Sequence, residues 1–224
     1  MLCGTSGSAE DVDRLLDGQP VHLINSDPPY GVKSKPRLNN AIKMRAKDRR
    51  LANDFLSDEA FDELLDAWFG NMARVLLPYL AKHELYFSQE IVWDKQHPVL
   101  TRKDFMGAFE LAFYGWKKGA AHVYLGPTNA TDLWHVKKVN QQSMVHLTEK
   151  PTELAVRAMQ YSSRPGENVL DLFGGSGSTL IAAEQTGRKA YLMELDELYC
   201  DVIVERWEKF TGRKAERLSA VEVA

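Results

Sequence analysis

The strongest constraint on the fold lies in the second half of the chain, where strand-forming and helix-forming segments alternate. The predicted order is strand Asn168–Phe173, turn Gly174–Gly177, helix Ser178–Gln185 closed by Gly187, strand Lys189–Glu194 and helix Leu198–Phe210. Such an alternation is typical of a parallel sheet with helices packed on it. The sequence therefore predicts an α/β fold.

The length of the chain suits one domain, which we place at residues 1–224. No apolar run approaches the ~20 residues of a membrane span, and the segment after Met1 lacks a secretory signal. We therefore expect a cytoplasmic protein that does not contact a membrane. Cys3 and Cys200 are too few for a disulfide framework, and the scattered histidines lack ligand spacing, so no metal site is predicted.

Further elements are predicted before the alternating region. They are a buried strand Val21–Ser26, a helix from Ser57 to Pro78, strands Tyr86–Trp93 and Phe109–Trp116, and a helix Pro151–Tyr161 with proline at its first position. Two stretches, 33–53 and 94–143, are predicted as loops, the second interrupted by the strand at 109–116.

The glycine turn has the features of a cofactor site. Its backbone N–H groups would point outward at the positive end of a helix dipole, and Gly175 and Gly177 would allow a cofactor to approach the backbone. Glu194 ends the next strand, where folds of this type place an acidic side chain for ribose hydroxyls. Leu180 stands where a dinucleotide fingerprint needs a small residue, and no Gly-Lys-Ser/Thr of a P-loop follows.

S-adenosylmethionine is the remaining candidate cofactor, with Asp171 near its amino group and Glu194 on its ribose. The alternative is a glycine turn that only connects a strand to a helix. The candidate cofactor contacts are Lys150, Asp171, Phe173, Gly175, Gly177, Ser178, Thr179, Glu194 and Asp196.

A second motif, Asp27-Pro28-Pro29-Tyr30, follows the predicted strand at Val21–Ser26. The Asp27 carboxylate and the Pro28 carbonyl could each accept an N–H of an exocyclic amine, and the carboxylate would stabilise the positive charge that develops on methylation. Pro29 fixes the backbone, and Tyr30 offers a face for stacking on a flipped base. All four are candidate catalytic residues, although Asp and Pro are also common in ordinary turns.

Basic residues are concentrated after this motif, although the net charge of the chain is −3. This stretch is predicted to contact DNA phosphates, with a solvated loop as the alternative. The candidate DNA contacts are Lys33, Lys35, Arg37, Lys43, Arg45, Lys47, Arg49 and Arg50, followed by Arg102 and Lys103 in the second loop; His97, Lys137 and Lys138 are weaker candidates.

In their order along the chain these motifs resemble the β group of DNA amino-methyltransferases, which act on adenine N6 or cytosine N4. Asp27-Pro28-Pro29-Tyr30 precedes the cofactor motif Asp171–Gly177, a permutation characteristic of that group. His146–Pro151 resembles the family's Lys-Pro segment, which contributes to the cofactor pocket. The likeness covers nearly the whole chain.

The resemblance implies a Rossmann-like S-adenosylmethionine-dependent methyltransferase with helices on both faces of a seven-stranded sheet. Asp at position 27 looks like the adenine-N6 variant, and double-stranded DNA is the implied partner of a protein that is often a homodimer. The family continues after Pro78 with a glycine, a strand and a helix, whereas this chain runs almost directly to Leu85. This departure predicts that one strand is missing or rebuilt.

Three alternatives remain open at this point. An N4-cytosine methyltransferase would use the same motifs. A protein-glutamine or RNA-amine methyltransferase could use a similar tetrapeptide, although the permuted order and the basic loop argue against it. A degenerate relative would bind DNA without catalysis.

Overall fold

A computed structural model describes residues 1–28, 60, 63, 85–99, 104–140 and 149–218. In chain order its elements are β1 (Leu2–Cys3), α1 (Ala9–Leu16), β2 (Leu23–Ile24), β3 (Leu85–Val99), β4 (Gly107–Lys117), β5 (Leu133–His135), α2 (Thr152–Ser162), β6 (Asn168–Asp171), α3 (Ser178–Thr186), β7 (Lys189–Glu194) and α4 (Glu197–Thr211). Of the predicted helix Ser57–Pro78, only Ala60 and Glu63 are described, and both are helical.

Four strands form a parallel sheet in the order β1-β7-β6-β2. Its central strand β6 is buried at all four positions, because helices cover both of its faces. Leu170 packs with Val12 and Leu16 of α1 on one face, while Val169 packs with Met159 of α2 and with α3 on the other. The predicted α/β architecture with helices on both faces is therefore confirmed.

The other three strands form a second sheet in the order β4-β3-β5. β3 and β4 are a long antiparallel pair, and β5 joins β3 in parallel. One face carries the buried rings of Trp93 and Trp134, whereas the opposite face exposes Phe109, Leu111 and Phe113. Within the described residues no ladder hydrogen bonds join the two sheets, so the implied seven-stranded sheet is divided into four and three strands.

Several predicted boundaries are corrected. The strand predicted at Val21–Ser26 comprises only Leu23–Ile24; after it, the Asn25 side chain contacts Thr179 of α3 and the Ser26 side chain contacts Asp171 of β6. The predicted loop at 94–106 is strand as far as Val99, which pairs with Gly107 after an irregularity in register. Pro151 caps its helix rather than beginning it.

Three elements were not predicted. β1 is two residues long and pairs with Met193 and Glu194 of β7, and α1 is capped by Ser8, whose hydroxyl accepts a hydrogen bond from the Asp11 N–H. β5 lies in the stretch 94–143 that was predicted as a loop, and it pairs with β3. None of the described helices has the length and hydrophobicity that crossing a bilayer requires. The segment after Pro78, where a strand was predicted to be missing, lies outside the described residues, so that prediction stays open.

Candidate active site

The candidate site lies at the carboxyl ends of β2, β6 and β7, which meet at one edge of the parallel sheet. Asn25 and Ser26, directly after β2, are hydrogen-bonded to the cofactor-side segment, residues 171–179, which include several predicted cofactor contacts. The Asn25 amide donates to Thr179 Oγ1 at 2.9 Å, and the Ser26 hydroxyl donates to Asp171 Oδ1 at 3.0 Å. Two motifs far apart in sequence are thereby brought side by side, as parallel strand ends require.

Asp171 lies beneath the glycine turn and is 4% exposed. Its carboxylate accepts hydrogen bonds from the Ser26 hydroxyl, the Phe173 N–H at 3.0 Å and the Thr179 hydroxyl at 2.7 Å. Burial raises the pKa of Asp171 to about 7, although these three donors act in the opposite direction. Here the side chain fixes the turn, and its predicted proximity to a cofactor amino group stays a prediction.

Glu194, at the end of β7, is tied to the same turn. Its Oε2 accepts the Gly175 N–H at 2.7 Å, while Oε1 accepts the N–H groups of Leu195 and Asp196 at 2.9 and 3.0 Å. Burial raises the pKa of this carboxyl, although the three N–H groups favour its charged form. Glu194 therefore spans the gap between the turn and the segment after β7, and its predicted contact with ribose hydroxyls stays a prediction.

The remaining predicted cofactor residues shape the same turn. Gly177 has a positive φ of 76°, and a Cβ there would lie 3.0 Å from Ile203 of α4. It precedes α3, whose first turn has no side-chain cap among the described residues, so backbone N–H groups face the turn. Ser178 begins α3, and Asp196 caps α4 by accepting the Leu198 N–H at 2.9 Å.

Lys150 has a place that the sequence did not predict. Its ammonium is hydrogen-bonded to Asp27 Oδ2 at 2.6 Å and lies 3.5 Å from Glu110 Oε2. Glu110 Oε1 in turn lies 3.5 Å from the ammonium of Lys95, a residue only 5% exposed. The resemblance placed Lys150 in the cofactor pocket, and that stays a prediction; the structure joins its ammonium to Asp27, the first residue of the candidate catalytic tetrapeptide.

Residues next to Lys150 are anchored to the glycine turn. Glu149, 7% exposed, pairs with Arg206 of α4 at 2.9 Å, and the Arg206 guanidinium also donates to the Ser176 carbonyl and the Thr152 hydroxyl. This arrangement fixes the start of α2 against the turn.

Sequence reasoning missed Glu110, Glu149 and Arg206. One usable signal was present, since Glu110 is the single charged residue inside the aromatic-rich run 109–116.

Many of the predicted site residues cannot be located. Pro28 is described beside Asp27, and His97 and Lys137 are exposed on the second sheet and its connections. Outside the described residues lie Pro29, Tyr30, Lys33, Lys35, Arg37, Lys43, Arg45, Lys47, Arg49, Arg50, Arg102 and Lys103. The predictions for these residues stay predictions.

Comparison with known proteins gives one family. A family model described as DNA methylase, of the N6/N4 methyltransferase type, matches residues 77–205, more than half of the chain. The Type II methyltransferase M.HinfI of Haemophilus influenzae is 23% identical across 86% of this chain, which spans 64% of that protein's length. The Type II methyltransferase M2.DpnII of Streptococcus pneumoniae is 26% identical across 85% of this chain and 83% of its own.

Solved structures agree on the fold. The M1.HpyAVI–SAM complex superposes with a TM-score of 0.65 at 20% identity, covering 89% of this chain and 95% of that one. The PvuII DNA methyltransferase, described as cytosine-N4-specific, gives a TM-score of 0.66 at 14% identity, covering 100% of this chain and 89% of that one. The predicted Rossmann-like methyltransferase fold is thereby confirmed.

Proposed function

Because this chain belongs to the DNA methylase family, we propose that it transfers a methyl group from S-adenosylmethionine to the N6 amine of a flipped adenine in double-stranded DNA. The observation that carries the proposal is the junction of the two motif segments at one sheet edge. Asn25 and Ser26 are hydrogen-bonded to Thr179 and Asp171, so the Asp27 carboxylate follows directly on residues in contact with the cofactor-side segment.

The glycine turn fits the proposed cofactor. The N–H groups at the start of α3 suit the carboxylate of a methionine moiety, and the absence of a Cβ at Gly177 leaves the turn close against Ile203. Glu194 at the end of β7 would accept hydrogen bonds from ribose hydroxyls. When bound, this cofactor supplies an electrophilic methyl group on a sulfonium.

Asp27 and Pro28 would act on the amine. Each accepts one N–H, which favours a tetrahedral nitrogen whose lone pair is directed at the methyl carbon. The nitrogen would gain positive charge as it takes the methyl group from the sulfonium, and the Asp27 carboxylate would stabilise that charge. The proton that nitrogen then loses passes to Asp27, directly or through water.

Adenine is favoured over cytosine because Asp27 begins the tetrapeptide, which resembles the adenine-type variant. N4-cytosine methylation is the second candidate, supported by the fold shared with a cytosine-N4-specific enzyme. Digestion of methylated DNA to nucleosides, followed by mass spectrometry, distinguishes N6-methyladenine from N4-methylcytosine. The basic stretch between Lys33 and Arg50 is the proposed source of phosphate contacts.

The decisive experiment compares the natural chain with Asp27→Ala and Asp27→Asn in a labelled-methyl assay on DNA. Both variants remove the charge beside the amine, so transfer is expected to fall by at least about 10³-fold. Calorimetry should find cofactor binding largely intact, because the glycine turn and Glu194 are unchanged. Turnover retained by Asp27→Ala would refute the catalytic assignment. A natural chain that binds no cofactor would instead support a non-catalytic relative.

A further inference from the structure

Four charged side chains lie in a row of ion pairs that begins at the proposed catalytic carboxylate. Asp27, Lys150, Glu110 and Lys95 alternate in sign, with nitrogen–oxygen distances of 2.6, 3.5 and 3.5 Å between neighbours. Glu110 comes from β4 and Lys95 from β3, so the second sheet supplies two of the four charged groups. Lys150 stands at the centre, within reach of two carboxylates.

The Oε2 atom of Glu110 is the unusual member. It is buried and has no hydrogen-bond partner among the described residues, although the Lys150 ammonium lies 3.5 Å away. A buried acceptor is normally hydrogen-bonded, and leaving it without a donor is costly. The donor that could complete it is Lys150, which in this structure is hydrogen-bonded to Asp27.

This Lys150–Asp27 contact opposes the proposed chemistry. A full positive charge 2.6 Å from Oδ2 weakens the attraction of the carboxylate for the positive charge that develops on the amine, and it occupies the oxygen that would accept the amine N–H. Reaction would be favoured if the ammonium were moved away from Asp27. Glu110 offers the alternative partner on the opposite side of Lys150.

We propose that Glu110 is a positioning residue that receives the Lys150 ammonium when the target amine enters. Asp27 then exchanges its ion pair with Lys150 for a hydrogen bond with the amine. The inference rests on the proposed function and adds a role for the second sheet. In the empty site Lys150 holds Asp27 in place. In the loaded site the amine N–H replaces the ammonium at Asp27, and Lys150 satisfies Glu110 Oε2.

The first test is Glu110→Gln, which keeps the shape of the side chain and removes its charge. Lys150 should then stay on Asp27, so kcat is expected to fall by at least about tenfold while KM for cofactor and for DNA is unchanged. The matched control is Glu205→Gln, which removes an exposed carboxylate paired with Lys209 on α4 and should leave both constants unchanged. A Glu110→Gln protein with natural kcat would overturn the inference.

A double-mutant cycle with Lys150→Met tests whether Glu110 acts through Lys150. If it does, adding Glu110→Gln to Lys150→Met should change kcat by less than about twofold. Independent roles would give the product of the two separate reductions, and that result would overturn the inference.

A second measurement does not depend on the folding of a variant. In a crystal of the natural chain with DNA and S-adenosylhomocysteine, the distance from Lys150 Nζ to Glu110 Oε2 should shorten to about 2.9 Å, and the distance to Asp27 should lengthen. If the Lys150–Asp27 pair stayed intact in that complex, the inference about Glu110 would be overturned, but the proposed function would not. A natural chain that transfers no methyl group to DNA would overturn the proposed function, and this inference with it.

Discussion

The two sheets of this molecule differ in how much of their surface is buried. In the parallel sheet every position of β6 is covered by helices, whereas β4 of the other sheet exposes Phe109, Leu111 and Phe113. The parallel sheet holds the glycine turn through the carboxylates of Asp171 and Glu194. The second sheet contributes a few charged side chains from its inner face. The candidate site therefore lies where a sheet covered by helices meets a sheet with one exposed face.

The largest expected contrast comes from truncating an apolar side chain in each sheet. Leu170 is 0% exposed and Phe113 is 78% exposed. Leu170→Ala should lower the free energy of unfolding by about 2–5 kcal/mol, because it leaves a cavity between β6 and α1. Phe113→Ala should change it by less than about 0.5 kcal/mol.

Urea unfolding followed by circular dichroism measures both variants of this pair. Equal losses of stability would contradict the contrast. A large loss for Phe113→Ala alone would mean that this face is covered in solution.

A smaller effect is expected at the glycine turn. Gly177→Ala combines a positive φ with a 3.0 Å approach to Ile203, and it should cost about 2–3 kcal/mol in the free energy of unfolding. Gly212→Ala is the matched control, since its φ of 71° is similar but no atom of the described residues lies within 4 Å of the added Cβ. It should cost about 1 kcal/mol. Equal costs would show that the contact with Ile203 does not constrain the turn.

The last contrast concerns pH and is measured as a slope rather than as a single loss of stability. The folded pKa of Asp171, about 7, lies above the ~3.9 of an unfolded aspartate, so the folded state binds more protons between these values. The stability that Asp171 contributes is therefore complete below about pH 4 and is lost as the pH rises to about 7. The slope is at most about 1.4 kcal/mol per pH unit.

Asp171→Asn should remove this slope, while Asp132→Asn, at an exposed position, should leave it unchanged. Urea unfolding between pH 4 and pH 8 gives the three curves. Parallel curves for the natural chain and Asp171→Asn would contradict a raised pKa.

The sequence predicted the second half of the chain closely, because each element there carries its own signal. The strand Lys189–Glu194 has the predicted bounds, and the helix ending at Gly187 has a glycine of positive φ at its cap. β1 and β2 were missed or overextended because two-residue strands are fixed by their partners rather than by any periodic pattern.

The sequence identified several residues that meet at the candidate site, but it did not predict most of their contacts. Asp27, Asp171 and Glu194 were identified from motif and position, but pattern alone could not pair Asp27 with Lys150, 123 residues away. The pattern also could not show that the Asp171 and Glu194 side chains point into the glycine turn, since their donors include the Ser26 hydroxyl after β2 and backbone N–H groups.

The pairing of β2 also has a consequence for how the chain is made. Among the described strands, Leu23–Ile24 pair only with β6, and the Ser26–Asp171 contact closes a loop of 145 residues. The segment after β2 is synthesised long before its partner strand. Contacts of such long range are slow to form. This edge of the sheet is therefore completed only after β6 has been synthesised, and the proposed site cannot assemble before then.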